Sequence, residues 1–247
     1  MTRSPFLIAI AALALFLAAG ALVVQFVGPS KGGVSQTDFA ALQSQVGSLK
    51  TSGAGLKTAF INVDSAFSVF MNAVAALRQG VADKTQQITD LNNAYQAGTA
   101  SKDAYQRQLL QLNTELLAAR VSADVGTLDR MIASEAFADM HTNLQKERDS
   151  SQTLVDTAKS LVAIAVEGAA DTPDFQNRFT QAQSAFTQLD QFVAQAATTK
   201  VQQAAKKIAV AQGIDLVVPA KNVVLYYNPA VVMDITELVK TEIAGYL

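Results

Sequence analysis

Apolar residues recur in alternating steps of three and four over much of the chain, the spacing of a helix with one buried stripe. Phe67, Met71, Val74, Leu77, Val81, Ile88, Leu91 and Tyr95 form the first stripe, with Lys84 interrupting it. The run Gly98-Thr99-Ala100-Ser101 breaks the pattern, and Ser101 is a good N-cap for a second helix. Tyr105, Leu109, Leu112, Leu116, Val121, Val125, Leu128 and Ile132 resume the stripe, and Leu154, Ala158, Leu161 and Ala165 extend it less firmly. A second break at residues 168–173 supplies Thr172 as N-cap and Pro173 at the first helical position. Phe175, Phe179, Ala182, Phe186, Leu189, Val193 and Ala196 then run in register.

These stripes read as seams, because amphipathic helices this long must pair to hide their apolar face. Taken as helices over residues 66–97, 102–167 and 173–212, they span about 48, 99 and 60 Å, so the chain returns close to its starting point. A kink near Gly126 or Asp139 changes the path of the longest helix without changing that return.

Both ends of this helical region carry strand patterns. Residues 58–63 place Ala59, Ile61 and Val63 on one face. Residues 214–218 and 223–227 flank Pro219-Ala220-Lys221-Asn222, which predicts a hairpin with a four-residue loop. Asn228-Pro229 ends it, and Asp234-Ile235-Thr236-Glu237 resembles a capping box that starts a last helix carrying Ile235, Leu238, Val239 and Ile243. The expected fold is therefore mainly α with a small β body, long coiled-coil arms projecting from a three-strand sheet. Three short strands leave two open edges, which self-association would cover. The candidate oligomer interface is Ile61, Val63, Leu216, Val217, Val218, Val223 and Leu225.

The N-terminus differs from all of this. Residues 6–27 are apolar or small except Gln25, and Arg3 precedes them. About twenty such residues span the roughly 30 Å core of a bilayer, which suits a transmembrane signal anchor. The competing reading is a signal peptide cleaved at Ala19-Gly20-Ala21. Cleavage after Ala21 would leave Leu22, Val23, Val24, Phe26 and Val27 on the mature protein, which favours the anchor. Either reading places the rest of the chain outside the cytoplasm, in the periplasm or its equivalent. The expected organisation is an anchor or signal over 1–27 and a linker with a short coiled coil over 28–56. The β body covers 57–64 and 213–247, and the helical arms 65–212.

Several of these segments carry a resemblance. Gly213-Ile214-Asp215-Leu216-Val217-Val218, residues 223–228 and Asp234-Ile235-Thr236 together resemble the C-terminal signature of the Skp/OmpH family of periplasmic chaperones. Ala59-Phe60-Ile61-Asn62-Val63-Asp64-Ser65-Ala66-Phe67 is similar to that family's opening strand and first helical turn, and residues 95–105 to its arm tip. The likeness covers residues 57–135 and 200–247. It implies a homotrimer whose β body holds three helical tentacles around an unfolded client, typically an outer-membrane β-barrel protein, without ATP. Two departures stand out. Residues 136–199 look like an insertion that lengthens the arms or adds a second hairpin. Family members are often strongly basic, whereas residues 66–212 contain 13 Lys/Arg and 15 Asp/Glu.

Composition narrows the function further. The net charge of −2 gives no basic face for nucleic acid. The absence of cysteine removes disulfide scaffolds, thiol nucleophiles and Cys-rich zinc sites. His141 is the single histidine, and Asp139 and Glu147 beside it do not complete a ligand set. Residues 52–58 mix glycines with Lys57-Thr58, but the spacing fails as a phosphate loop. No catalytic, cofactor-binding or metal site is expected, and charge runs such as Lys146-Glu147-Arg148-Asp149 read as solvated helix faces. With arms so nearly neutral, client capture falls to apolar side chains, and Phe179, Phe186 and Phe192 are the candidates. The expected function is an ATP-independent holdase for unfolded membrane or envelope proteins. The alternative is a membrane-anchored coiled-coil spacer of the cell envelope that binds no clients.

Overall fold

The computed structural model describes residues 56–168, 172–221, 224 and 226–247. The span over residues 6–27 and nearly all of the 28–56 linker lie outside them. Chain order is β1 (Thr58–Ile61), α1 (Val63–Ala73), α2 (Ala75–Gln96), α3 (Lys102–Ala133) and a 3-10 segment (Glu135–Met140). It continues with α4 (His141–Ser150), α5 (Gln152–Val166), α6 (Pro173–Gln212), β2 (Leu216–Pro219), β3 (Val232–Asp234) and α7 (Thr236–Ile243). The chain is mainly helical with one small three-strand sheet.

Local chemistry sets the helix ends. Asn62 Oδ1 accepts from Ser65 N at 3.0 Å to start α1, so residues 63 and 64 belong to the helix, not to the β body. Ser101 caps α3 and Thr172 caps α6, with Pro173 in the first turn as its sequence position predicts. At the far end of α6 the chain leaves through Gly213 at φ 62°, a left-handed conformation that glycine adopts without Cβ strain.

Residue pairs fix the direction of α2 against α3. Ala73 lies against Arg130, Arg78 against Asp124, Lys84 against Glu115 and Asn92 against Tyr105. The two helices are antiparallel, and the predicted seam is their contact. Lys84, the apparent flaw in the stripe, donates to Glu115 Oε2 at 2.6 Å and bridges the pair. Burial pulls the Glu115 carboxyl upward, but hydrogen bonds from Lys84 and Gln111 outweigh it and hold it below its ordinary range. Near the turn, Ile88, Leu91, Leu109 and Leu116 make a hydrophobic cluster separate from the main core. Tyr95 and Tyr105 stack there with ring centroids 4.2 Å apart.

The predicted continuous helix over residues 102–167 is not formed. The chain stops at Ser134, turns through the 3-10 segment and returns as α4 and α5. Phe137 explains the break. It is fully buried, edge-on to Phe70 with centroids 6.1 Å apart, a position that a straight helix would carry past the core. Of the two kink positions the sequence offers, the Asp139 region is therefore the one used. Gly126 stays helical and lets Leu77 approach, since a Cβ there would lie 3.2 Å from the Leu77 methyl.

The return path makes a bundle. α5 packs on both α3 and α6, and α6 packs on α3. Asp139 pairs with Lys200 and Ser160 with Arg178, so α6 runs antiparallel to the segment before it. Residues 136–199 thus form a second hairpin laid against α3. Leu128, Met131, Phe137, Leu144, Leu161, Phe175 and Leu189 fill the shared core.

The sheet also departs from expectation. Its order is β2-β1-β3, and both outer strands run parallel to β1. Thr58 lies opposite Leu216 on one side and Val232 on the other. The predicted hairpin is antiparallel by necessity, and it does not form: residues 224, 226 and 227 are in no strand, and the third strand is Val232–Asp234. A connection from 220 to 231 replaces the four-residue loop, as a parallel sheet requires. The physical reason lies in β1. A hairpin strand beyond β2 would leave β1 at an edge, whereas strands on both sides let Ala59, Phe60 and Ile61 be buried. Tyr227 covers Phe60 from outside the ladder, with centroids 4.6 Å apart.

α7 begins at Thr236, whose N donates to Asp234 Oδ1 at 2.9 Å. Glu237 accepts from Lys240 and does not reach back, and no side chain caps the helix at Ile235, so the expected capping box does not form. Ile235, Val239 and Ile243 face the core as expected, while Leu238 is exposed.

Candidate functional site

Three places in the described residues gather unusual chemistry: the sheet end, the aromatic face of α6 and a buried ionic cluster. The sheet end derives from the parallel topology. The outer edges of β2 and β3 have no neighbouring strand among the described residues. Met233 on β3 is 45% exposed and Val231 just before it 67% exposed, and close by in sequence Tyr226 and Leu238 are exposed as well. Isolated exposed apolar residues are ordinary, but Val231 and Met233 on and beside an open strand edge make a candidate association surface.

The predicted interface residues distribute differently. Ile61 is 5% exposed and belongs to the chain's own core. Val63 opens α1 and packs half-buried against that core. Leu216, Val217 and Val218 are half-buried on β2, opposite Thr58, Ala59 and Phe60. Val223 and Leu225 lie outside the described residues. Sequence reading misses the Val231 and Met233 edge because it assigns the third strand to the wrong segment. The signal for the edge is Val231-Val232-Met233, a short apolar run between Pro229 and the helix start.

Phe179, Phe186 and Phe192 all lie on α6, half-buried and packed against the core. Phe179 stacks on Phe175 at 6.0 Å between centroids. Each ring therefore offers part of its surface, and none stands free.

The ionic cluster joins α2, α3 and α6. Arg78 Nη2 donates to Asp124 Oδ1 at 3.0 Å, and Asp124 is 2% exposed. The Asp190 carboxyl, from α6, lies in hydrogen-bonding contact with that of Asp124, and Arg120 acts on both. Burial, then the Asp190 charge, pushes Asp124 up to about 7 against the pull of Arg78 and Arg120. Burial raises Asp190 as well and lowers Arg120. The sequence holds a signal for this cluster, since Leu117, Val121, Asp124 and Leu128 share one stripe and Asp190 sits between Phe186 and Val193 on another. A charge on an apolar stripe is buried when the stripe is.

Lys200 makes a second buried contact. Its ammonium pairs with Asp139, donates to Gln203 at 2.8 Å and lies 5.4 Å from the centre of the Phe137 ring. His141 is exposed at the start of α4. Among the described residues no group of three or more His, Asp or Glu is placed to hold a metal ion, and no helix is long and apolar enough to cross a membrane. Compared with known protein families, curated proteins and solved structures, the chain matches none.

Proposed function

We propose that this chain is an ATP-independent holdase that acts outside the cytoplasm, tethered by residues 6–27 and assembled as a homotrimer around its sheets. One observation carries the reading: a sheet built from segments before and after the helical region leads through α1 into the α2–α3 hairpin and has an open β3 edge with Val231 and Met233 exposed. A sheet this small buries little alone, and a second and third copy at the Val231 and Met233 edge would continue it. The likeness of residues 57–67 and 213–236 to the Skp/OmpH signature points the same way. In this reading the hairpins act as coiled-coil arms that confine an unfolded β-barrel client, and no enzymatic step or nucleic acid is involved.

Capture then rests on apolar contact. The partly exposed rings of Phe179, Phe186 and Phe192 are the candidates, each contributing up to about 1.5–3 kcal/mol when fully covered. Apolar contact is little affected by salt, unlike charge attraction, whose range falls from about 10 Å at 0.1 M to about 3 Å at 1 M. Fluorescence titration of a urea-diluted β-barrel protein tests this. Affinity should change less than about threefold between low and moderate salt, well under ~1 kcal/mol. A loss of about tenfold would mean that a localised charged patch does the holding.

A second reading, the envelope spacer, draws on the packing of α5 and α6 against α3. That packing spends most apolar surface inside the protomer and leaves the three phenylalanines half-buried. A spacer should show no saturable binding in the same titration.

A further inference from the structure

We propose that the Arg78–Asp124–Asp190–Arg120 cluster is a proton-operated latch: one proton held between the two carboxyls clamps α6 to the α2–α3 hairpin, and its loss loosens α6 from α3. This device is independent of client binding. It would operate in a holdase and in a spacer alike.

The geometry sets the requirement for a proton. Asp124 Oδ1 is occupied by Arg78, but Asp124 Oδ2 is fully buried with no N–H or O–H donor in reach. The side chain from α6 in hydrogen-bonding contact with Asp124 is another carboxyl, that of Asp190. Ionised carboxylates only accept, so this contact becomes a hydrogen bond only when one of the two carries a proton. Without it, two like charges meet beside a fully buried Asp124 oxygen that stays unsatisfied, with Asp190 itself half-buried.

The surroundings do not remove the conflict. From α2 comes Arg78, whose Nε is itself buried without an acceptor. Arg120 lies one helical turn before Asp124 on α3 and acts on both carboxyls. On α5, which also packs on α3, Asp156 and Lys159 are exposed, and on α4 Arg148 pairs with Asp129. The two arginines balance the two carboxylates in charge, yet burial outweighs them at Asp124. The proton is therefore retained up to near-neutral pH, against an ordinary carboxyl range near 4.

The direction is set by which state binds the proton. The closed cluster holds it at a pH where solvated carboxyls do not, so acidification favours closure and alkalinity favours opening. The released proton passes to solvent as α6 parts from α3. Because α6 joins α5 on one side and β2 on the other, loosening it would free the second hairpin while α2 and α3 stay paired.

Hydrogen exchange of the full chain in detergent, corrected for intrinsic rates, tests the latch through the amides of residues 186–194. They should exchange about tenfold faster near pH 8.5 than near pH 6. Asp190→Asn supplies a permanent N–H donor to Asp124 and should stay slow at both pH values. Glu115→Gln, outside the cluster, should keep the wild-type response. Should Asp190→Asn not fold, spin labels answer in its place. The chain lacks cysteine, so Gln108→Cys with Gln188→Cys reports the α3–α6 distance, which should lengthen or broaden on the alkaline side. Exchange and distances indifferent to pH, or an Asp190→Asn protein that responds like wild type, would overturn the proposal.

Discussion

The Ser134 hydroxyl donates to the main-chain carbonyl oxygen of Tyr246 at 2.6 Å, joining the end of α3 to the last residues of the chain across 112 positions. Ser134 Oγ in turn accepts from Ala136 N at 3.3 Å, so one side chain both fastens the C-terminus and starts the turn that ends the long helix. Ser134→Ala removes both bonds. It should cost about 1–2 kcal/mol, read as a lower urea midpoint at unchanged slope. Ser122→Ala, on the exposed face of α3, should change stability by less than about 0.5 kcal/mol.

Arg78, partly exposed, and Lys200, buried, should differ in their response to deletion. Arg78→Met removes the guanidinium that donates to buried Asp124 and should cost about 3 kcal/mol or more. Lys200→Met leaves Asp139, whose side chain is 51% exposed, free to take up water. An apolar replacement of similar length should then fall within about 1 kcal/mol of wild type. Chemical denaturation of both variants at one pH checks the contrast.

The pH dependence of stability has a definite sign. Asp124 is raised in the fold from its ordinary value of 3.8 to about 7. Between those limits the folded chain binds a proton that the unfolded chain lacks, so this group makes stability fall as pH rises through the window. Below the window its contribution is fully favourable, and above it the penalty is complete. Asp124→Asn should flatten this slope, because an amide does not titrate. Urea midpoints of wild type and variant at pH values across the window measure it.

Assembly should depend on the β3 edge more than on the centre of the sheet. Met233→Asp places a charge on a half-exposed edge residue without touching the core, and should turn a trimer into a folded monomer. Val217→Asp lies opposite Ala59 and against the core, so it should also destabilise the protomer. Sedimentation equilibrium with circular dichroism separates the two effects. A wild-type monomer at micromolar concentration would remove the basis for both.

Much of the helical fold is legible in the sequence because one physical cause dominates there. Val74, Ile88, Leu91, Leu109, Leu116, Val121, Leu128, Leu161, Leu189 and Val193 are all marked by spacing, and all are buried. Ser101 and Thr172 act as caps for the reason their residue types suggest. What spacing does not report is where a stripe turns back. Residues 102–167 keep a helical pattern on both sides of Ser134, so only the tertiary demand of Phe137 for the core reveals the break. The sheet is legible in location but not in pairing. Val223-Val224-Leu225-Tyr226-Tyr227 has stronger strand propensity than Val232-Met233-Asp234, and burial of β1 between two parallel neighbours overrides it. The ionic cluster is readable only by letting Asp124 belong to an apolar stripe.

If the proposed holdase function holds, this chain keeps unfolded membrane proteins from aggregating. Light scattering of a urea-unfolded outer-membrane β-barrel protein, diluted into buffer with residues 57–247, measures it most directly, since those residues form one compact unit. The holdase reading predicts that scattering is suppressed without ATP, saturates at one trimer per client and weakens when Phe179, Phe186 and Phe192 are together replaced by alanine. Scattering that is unchanged even at large molar excess of a folded, trimeric protein would contradict it and leave the structural spacer as the account of this fold.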